Sequence, residues 1–191
     1  ALPKNLGWLW NMDGTKKEVK LYGGLSPILS PDGKTLLSHT ITGTIVLSKL
    51  DGEMIREFNT DKGEITSLAF SADGQMILSC SAYTMSLWKL DGKLIRKFQS
   101  PEEKIKCIAF SPDSKMIVTG SESSLRLWSV DGLMLKEFKG HTKEILRVMF
   151  SPNGKMILTD SFGLTARVWK VPLPLSEFLK SNKLEPLSAA E

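Results

Sequence analysis

Few side chains in this 191-residue chain are placed to do covalent chemistry, and their spacing does not bring them together. Gly33-Lys34-Thr35 has the ending of a phosphate-binding loop, in which backbone N–H groups and a lysine cradle a nucleotide. The glycine that such a loop needs five residues earlier is Ile28, and the tripeptide sits in a Pro31-Asp32-Gly33 turn rather than opening a helix. His39 and His141, the two histidines, are 102 residues apart, and neither has an acidic or thiol ligand pattern nearby. Cys80 and Cys107 lie in apolar runs, where a thiol stays protonated and inert. Neither a nucleophile elbow nor a dinucleotide fingerprint is present. These residues imply no catalysis, no metal and no cofactor.

The elements that carry them come from an internal repeat. One landmark is Ser30-Pro31-Asp32-Gly33, with its variants Ser71-Ala72-Asp73-Gly74, Ser111-Pro112-Asp113-Ser114 and Ser151-Pro152-Asn153-Gly154. Their starts are 41, 40 and 40 residues apart. A second landmark, Trp followed closely by Asp-Gly, keeps the same period: Trp10 with Asp13-Gly14, Trp88 with Asp91-Gly92, and Trp128 with Asp131-Gly132. Trp169 lacks the turn, and Ser48 stands where the tryptophan is missing. Within one period, residues 105–139 read as four short strands. An apolar run ends at Pro112-Asp113, a second ends at the Ser121–Ser124 cluster, a third alternates up to Val130, and a fourth follows the Asp131-Gly132 turn. No repeat has a 3.6-residue period. A four-stranded antiparallel unit of about 40 residues, repeated, is the pattern of a β-propeller blade.

Here the chain resembles the WD-repeat (WD40) propeller family. The fourth unit matches best, with Gly140-His141, Phe150-Ser151-Pro152-Asn153-Gly154 and Thr165-Ala166-Arg167-Val168-Trp169. The repeats are degenerate. The family's Asp before the third strand is replaced by Thr42, Ala82, Glu122 and Gly163, and its Gly-His histidine by Asp61 and Pro101 in the second and third units. Of the hydrogen-bond chain the family builds, the resemblance leaves His141, Thr159 or Ser161, and Trp169.

The resulting expectation is an all-β propeller: a partial blade over 1–22, blades over 23–62, 63–102 and 103–142, and the inner three strands of a last blade over 143–171. A tail over 172–191 follows, with one or two helical turns over 176–180. Pro172 and Pro174 leave the last unit without an outer strand, and residues 17–22 are claimed by the strand at Leu6–Trp10. The count therefore predicts an incomplete ring, the C-terminal part of a longer propeller. Closure by two copies, or by four or five compressed blades, are the alternatives. Open blade edges would allow self-association.

Composition limits the partners. The chain is 41% hydrophobic and 24% charged, which excludes wholesale disorder, and no window approaches ~18 consecutive apolar residues. A net charge of +4 is mild and permits an acidic partner without arguing for one; nucleic acid, which calls for a concentrated basic face, is not expected. Two cysteines without a disulfide framework suit a reducing, cytoplasmic setting. What remains is a non-catalytic scaffold presenting a rigid face to a protein or peptide, with a small-ligand or enzymatic central channel as the alternative. The resemblance places recognition near the starts of inner strands and at the turns before third strands. By position these are Glu64 and Thr66, with Tyr83 adjacent to the turn position, in the second unit, Lys104 and Lys106 in the third, and Glu144, Leu146 and Phe162 in the fourth.

Overall fold

The structure, a computed structural model, describes residues 4–10, 12–22, 25–60, 63–100 and 103–172. The tail helix expected over 176–180 and the positions of Asp61 and Pro101 lie outside the described residues. Seventeen strands, and no helix, make up what is described. Every hydrogen-bonded pair is antiparallel between chain neighbours. β1 (Lys4–Trp10) and β2 (Lys16–Tyr22) form a two-stranded sheet. Three four-stranded sheets follow: β3 (Leu25–Leu29) to β6 (Met54–Phe58), β7 (Ser67–Phe70) to β10 (Leu94–Gln99), and β11 (Cys107–Phe110) to β14 (Met134–Lys139). β15 (Ile145–Phe150), β16 (Met156–Ser161) and β17 (Thr165–Lys170) make a last sheet of three. The sheets are packed face to face in chain order, β2 against β4 and β5, β3 against β7, β7 against β11, and β11 against β15. No sheet closes the arc into a ring among the described residues.

Turn chemistry fixes where each sheet folds back. In the first hairpin Ser30 Oγ donates to Asp32 Oδ1 at 2.6 Å, and Gly33 N–H donates to Ser30 O at 2.9 Å. The same serine bond recurs at Ser71–Asp73 and Ser111–Asp113, and at Ser151–Asn153 the acceptor is the amide oxygen. Aspartate and asparagine there mimic a backbone turn with their side-chain oxygens. The second turn needs glycine for two reasons. Gly92 has φ +87°, and a Cβ on it would lie 2.9 Å from Arg56 Cδ on the preceding sheet.

Each core lies between two sheets. Leu37, Ile45, Leu47 and Phe58 of one sheet meet Ile65, Leu68, Ile77 and Trp88 of the next. Leu78, Cys80, Met85, Leu87 and Phe98 then meet Ile105, Ile108, Phe110, Ile117 and Trp128. Cys107, Val118, Leu125, Leu127 and Phe138 meet Ile145, Val148 and Ile157, with Trp169 against them. An outer-strand phenylalanine thus packs on the tryptophan of the following sheet each time. Phe58–Trp88 and Phe98–Trp128 are edge-to-face at 5.9 and 6.4 Å, and Phe138–Trp169 is tilted at 5.5 Å. Such pairs add about 0.5–1.5 kcal/mol beyond the area they bury. The other residues of these outer strands are mostly exposed, so a single phenylalanine anchors each. At the first contact Val19 pairs with Gly7 as Phe98 pairs with Met85, and the smaller core there is Val19, Leu21 and Leu36.

Beneath each indole sits a hydroxyl. Trp88 Nε1 donates to Ser79 Oγ at 2.9 Å, Trp128 Nε1 to Thr119 Oγ1 at 3.1 Å, and Trp169 Nε1 to Thr159 Oγ1 at 2.9 Å. His141 Nε2 lies 2.7 Å from Thr159 Oγ1 and completes the longer chain in the last sheet. The hydrogen-bond chain expected from the resemblance therefore runs through Thr159, while Ser161 donates to Lys143 O instead. Its Trp–hydroxyl half also survives in two further sheets. Burial first, and then the Arg167 charge, hold His141 below the usual imidazole range, so it stays neutral at pH 7.

The third repeat replaces the missing turn aspartate by another route. Glu103 reaches across and its Oε1 accepts from Ser123 Oγ at 3.0 Å and Ser124 Oγ at 3.1 Å. Its Oε2 accepts from Ser124 N–H at 3.2 Å and Ser123 N–H at 3.3 Å, and from Ser121 Oγ. Burial would raise this carboxyl, but the hydrogen bonds outweigh it and hold it at about 2.

Two outcomes are expected. Phe98→Ala should cost about 3–5 kcal/mol in urea unfolding, whereas Lys93→Ala on the exposed turn should change stability by less than about 0.5 kcal/mol. Glu103→Gln should cost about 1–3 kcal/mol at neutral pH, because charge-assisted bonds to the serines are lost. Since the folded-state pKa is depressed to about 2 from 4.5, the carboxylate's contribution is complete above pH 4.5 and fades as pH falls through 2. The stability gap between parent and variant should narrow over that window, measured by thermal unfolding at a series of pH values.

Candidate binding face

One end of the sheets carries the inner-strand starts and the turns before the third strands. Local backbone bonds tie this rim together from sheet to sheet. Ile105 N–H donates to Ala82 O at 2.6 Å, and Ile145 N–H donates to Ser121 O at 2.9 Å. The inner strands β11 and β15 are therefore each hung on the turn of the sheet before. Thr66 repeats the link with its side chain, Oγ1 donating toward Ile105 O at 3.1 Å and Cys80 O at 3.3 Å. The face is rigid because its loops are bonded to one another.

Along this rim lie two adjoining grooves. One, of about 390 Å³, is lined by Ser26, His39, Glu64, Ile65, Thr66, Lys106, Glu144 and Leu146. The other, of about 440 Å³, runs outward past Glu64, Thr66 and Lys106 to Tyr83 and Lys104. Seven of the eight residues singled out from the sequence thus line one continuous surface. Lys106 Nζ and Glu144 Oε1 are 3.3 Å apart across neighbouring sheets, both partly exposed. At the edge of the same rim Phe162 N–H donates to Glu144 O at 2.9 Å, while its ring, 72% exposed, stands free of the sheet edge. Phe162 lines neither groove. Thr66 is there for the fold as much as for the surface, since its hydroxyl is engaged inside.

His39, which the sequence presents as an incidental polar residue at a strand end, and Ser26, which it does not single out, also line the first groove. His39 is buried, with Nδ1 3.2 Å from Thr40 O, yet it forms part of the groove wall. The signal was the repeat frame itself, because His39 occupies the place that Cys80 and Gly120 hold at the ends of their second strands.

The chemistry of the thiols agrees with their surroundings. Burial pushes both Cys80 and Cys107 up to about 12, so neither supplies a thiolate nucleophile at neutral pH. Among the described residues no group of three or more His, Cys, Asp or Glu side chains is placed to hold a metal ion. A larger cavity, of about 770 Å³, lies at the opposite end of the last two sheets, between the Pro112–Asp113 and Pro152–Gly154 turns and beside Pro172. It is lined by repeat-turn residues and by none of the eight recognition candidates.

The comparisons agree with this architecture. The family model for the WD domain, G-beta repeat matches residues 52–89, 92–129 and 132–170, each span joining the outer strand of one sheet to the inner three of the next. No curated protein matches the chain. With three repeats matched over more than half its length and a tryptophan on a Ser or Thr hydroxyl in each, the chain belongs to the WD40 repeat family.

Proposed function

We infer that this protein is a non-catalytic interaction module whose grooved rim receives a protein or peptide. Members of the WD40 family generally serve as protein-interaction scaffolds. The observation that carries the reading for this chain is the convergence of Glu64, Lys106, Glu144, Leu146, Tyr83 and Lys104 from three sheets onto one surface. The mixture suits an extended peptide. Carboxylates and lysines alternate with Leu146 and Tyr83, so polar groups set register while apolar ones supply the affinity. Phe162 adds an exposed aromatic anchor at the margin.

Fixed loops lower the ordering cost of binding, since few side chains or turns need to be immobilised when the partner arrives. Display of that kind suits a regulatory or sensing part of a larger signalling protein. Two buried, protonated cysteines accord with a reducing cytoplasmic setting.

The test uses peptides selected from a random displayed library against the whole chain. Glu144→Lys and Tyr83→Ala should each weaken the selected peptides by tenfold or more, with unfolding midpoints unchanged. Lys93→Ala, on the far turn, should leave affinity within twofold. Peptides that ignore the rim substitutions but fail on Lys93→Ala would place the binding surface elsewhere.

A further inference from the structure

The two grooves on the rim share Glu64, Thr66 and Lys106 but differ in what they leave unbonded. The charged lining of the inner groove is Glu64, Lys106 and Glu144. Lys106 and Glu144 are paired with each other at 3.3 Å, whereas the Glu64 carboxylate has no partner among the described residues. One carboxylate is therefore in excess.

His39 supplies a second free acceptor. Its ring is buried, 4% exposed, and Nδ1 lies 3.2 Å from Thr40 O. A carbonyl can only accept, so Nδ1 carries the proton and Nε2 of the neutral ring keeps a lone pair. Nε2 meets no protein partner among the described residues, and it is not sealed from solvent as the Ser48 hydroxyl is. The groove that His39 lines is the space into which this nitrogen opens. What enters the groove is what satisfies it.

The outer groove has the opposite character. It exchanges His39 and Glu144 for Tyr83 and Lys104, so that a lysine is in excess. The Lys104 ammonium is exposed and has no partner among the described residues. Glu103, the carboxylate next to it in the chain, is taken by Ser121, Ser123 and Ser124 and does not neutralise it. The Tyr83 hydroxyl stands unbonded beside it, on a ring 42% exposed.

We propose that the rim selects its peptide by polarity, an inference that rests on the peptide-binding reading above. A cationic donor, ammonium or guanidinium, is seated in the inner groove facing Glu64 and His39 Nε2. A carboxylate a few residues along the same peptide is seated in the outer groove against Lys104, with Tyr83 beside it. The reverse order sets a carboxylate against Glu64 and a lone pair, and a cation against Lys104. Loops bonded to one another cannot move to relieve that repulsion, so the order of charges is part of the specificity.

Peptides selected from the displayed library on the whole chain supply the probes. Each should carry a Lys, an Arg or a free N-terminal ammonium together with an Asp or Glu. Replacing Lys or Arg by Gln, or acetylating the N-terminus, should weaken binding about tenfold in whichever arm removes the seated cation, which identifies its source. Changing the peptide acid to its amide should weaken binding about two- to fivefold, as for an exposed pair. Glu64→Gln should weaken the parent peptide about as much as loss of the cation does, with no further effect on the cation-free peptide. Lys104→Glu should weaken the parent peptide and be rescued when the peptide acid becomes Lys. Glu64 and Lys104 are both exposed, so unfolding midpoints should not move. Affinity retained after the cation is removed overturns the proposal, as does a Glu64→Gln loss undiminished on the cation-free peptide. Either result leaves the interaction reading standing if Glu144→Lys and Tyr83→Ala still weaken binding. Peptides indifferent to every one of these substitutions remove the rim reading and this inference together.

Discussion

The seating of an outer-strand phenylalanine against the indole of the next sheet is the contact on which the remaining architecture depends. A twisted sheet of four short strands has two faces and too little apolar material to hide both by itself. Phe58, Phe98 and Phe138 come from strands whose other residues face water, so each strand is held by its neighbour as much as by its own hydrogen-bond ladder. The indole on the other side of the contact is itself positioned by the hydroxyl beneath it, which satisfies an N–H that would be costly to bury unpaired. Packing and polar satisfaction thus meet in one residue per repeat.

From that contact follows the way the rim is built. Once two sheets are fixed face to face, the start of one inner strand is delivered to the preceding turn, where Ile105 and Ile145 find carbonyl partners. Degenerate repeats could have loosened these turns. Instead each unit uses what it has. His141 and Thr159 serve the last sheet, the Glu103 carboxylate and three serines serve the third unit, and Thr40 and Thr42 share a hydroxyl bond of 2.8 Å in the first. Loops held in this way can display side chains without reorganising.

Much of this was legible in the sequence because period and turn chemistry are local. Ser-x-Asp-Gly and Trp-x-x-Asp-Gly mark the hairpins, and alternating Leu125-Arg126-Leu127-Trp128 gives a strand buried on both faces. Gathering the rim residues required only the repeat frame, which places Thr66, Lys106 and Leu146 at equivalent positions. Glu103 escaped the same logic because its partners lie about 20 residues on, at Ser121, Ser123 and Ser124, and no spacing rule links a loop carboxylate to a later serine cluster. His39 escaped for the opposite reason. A lone histidine at a strand end reads as ordinary until the sheets are brought together.

Ser48, standing where the other sheets have tryptophan, has a wider consequence. Its buried hydroxyl finds no partner, and the neighbouring contact relies on Val19, Leu21 and Leu36 with Tyr22 bonded to Gly52 O. In a linear array whose members touch only adjacent members, cooperativity is set joint by joint. The joint without an indole is the one that parts earliest, so the leading hairpin would fray and re-dock while the four units behind it remain folded, a graded melting rather than a single collapse.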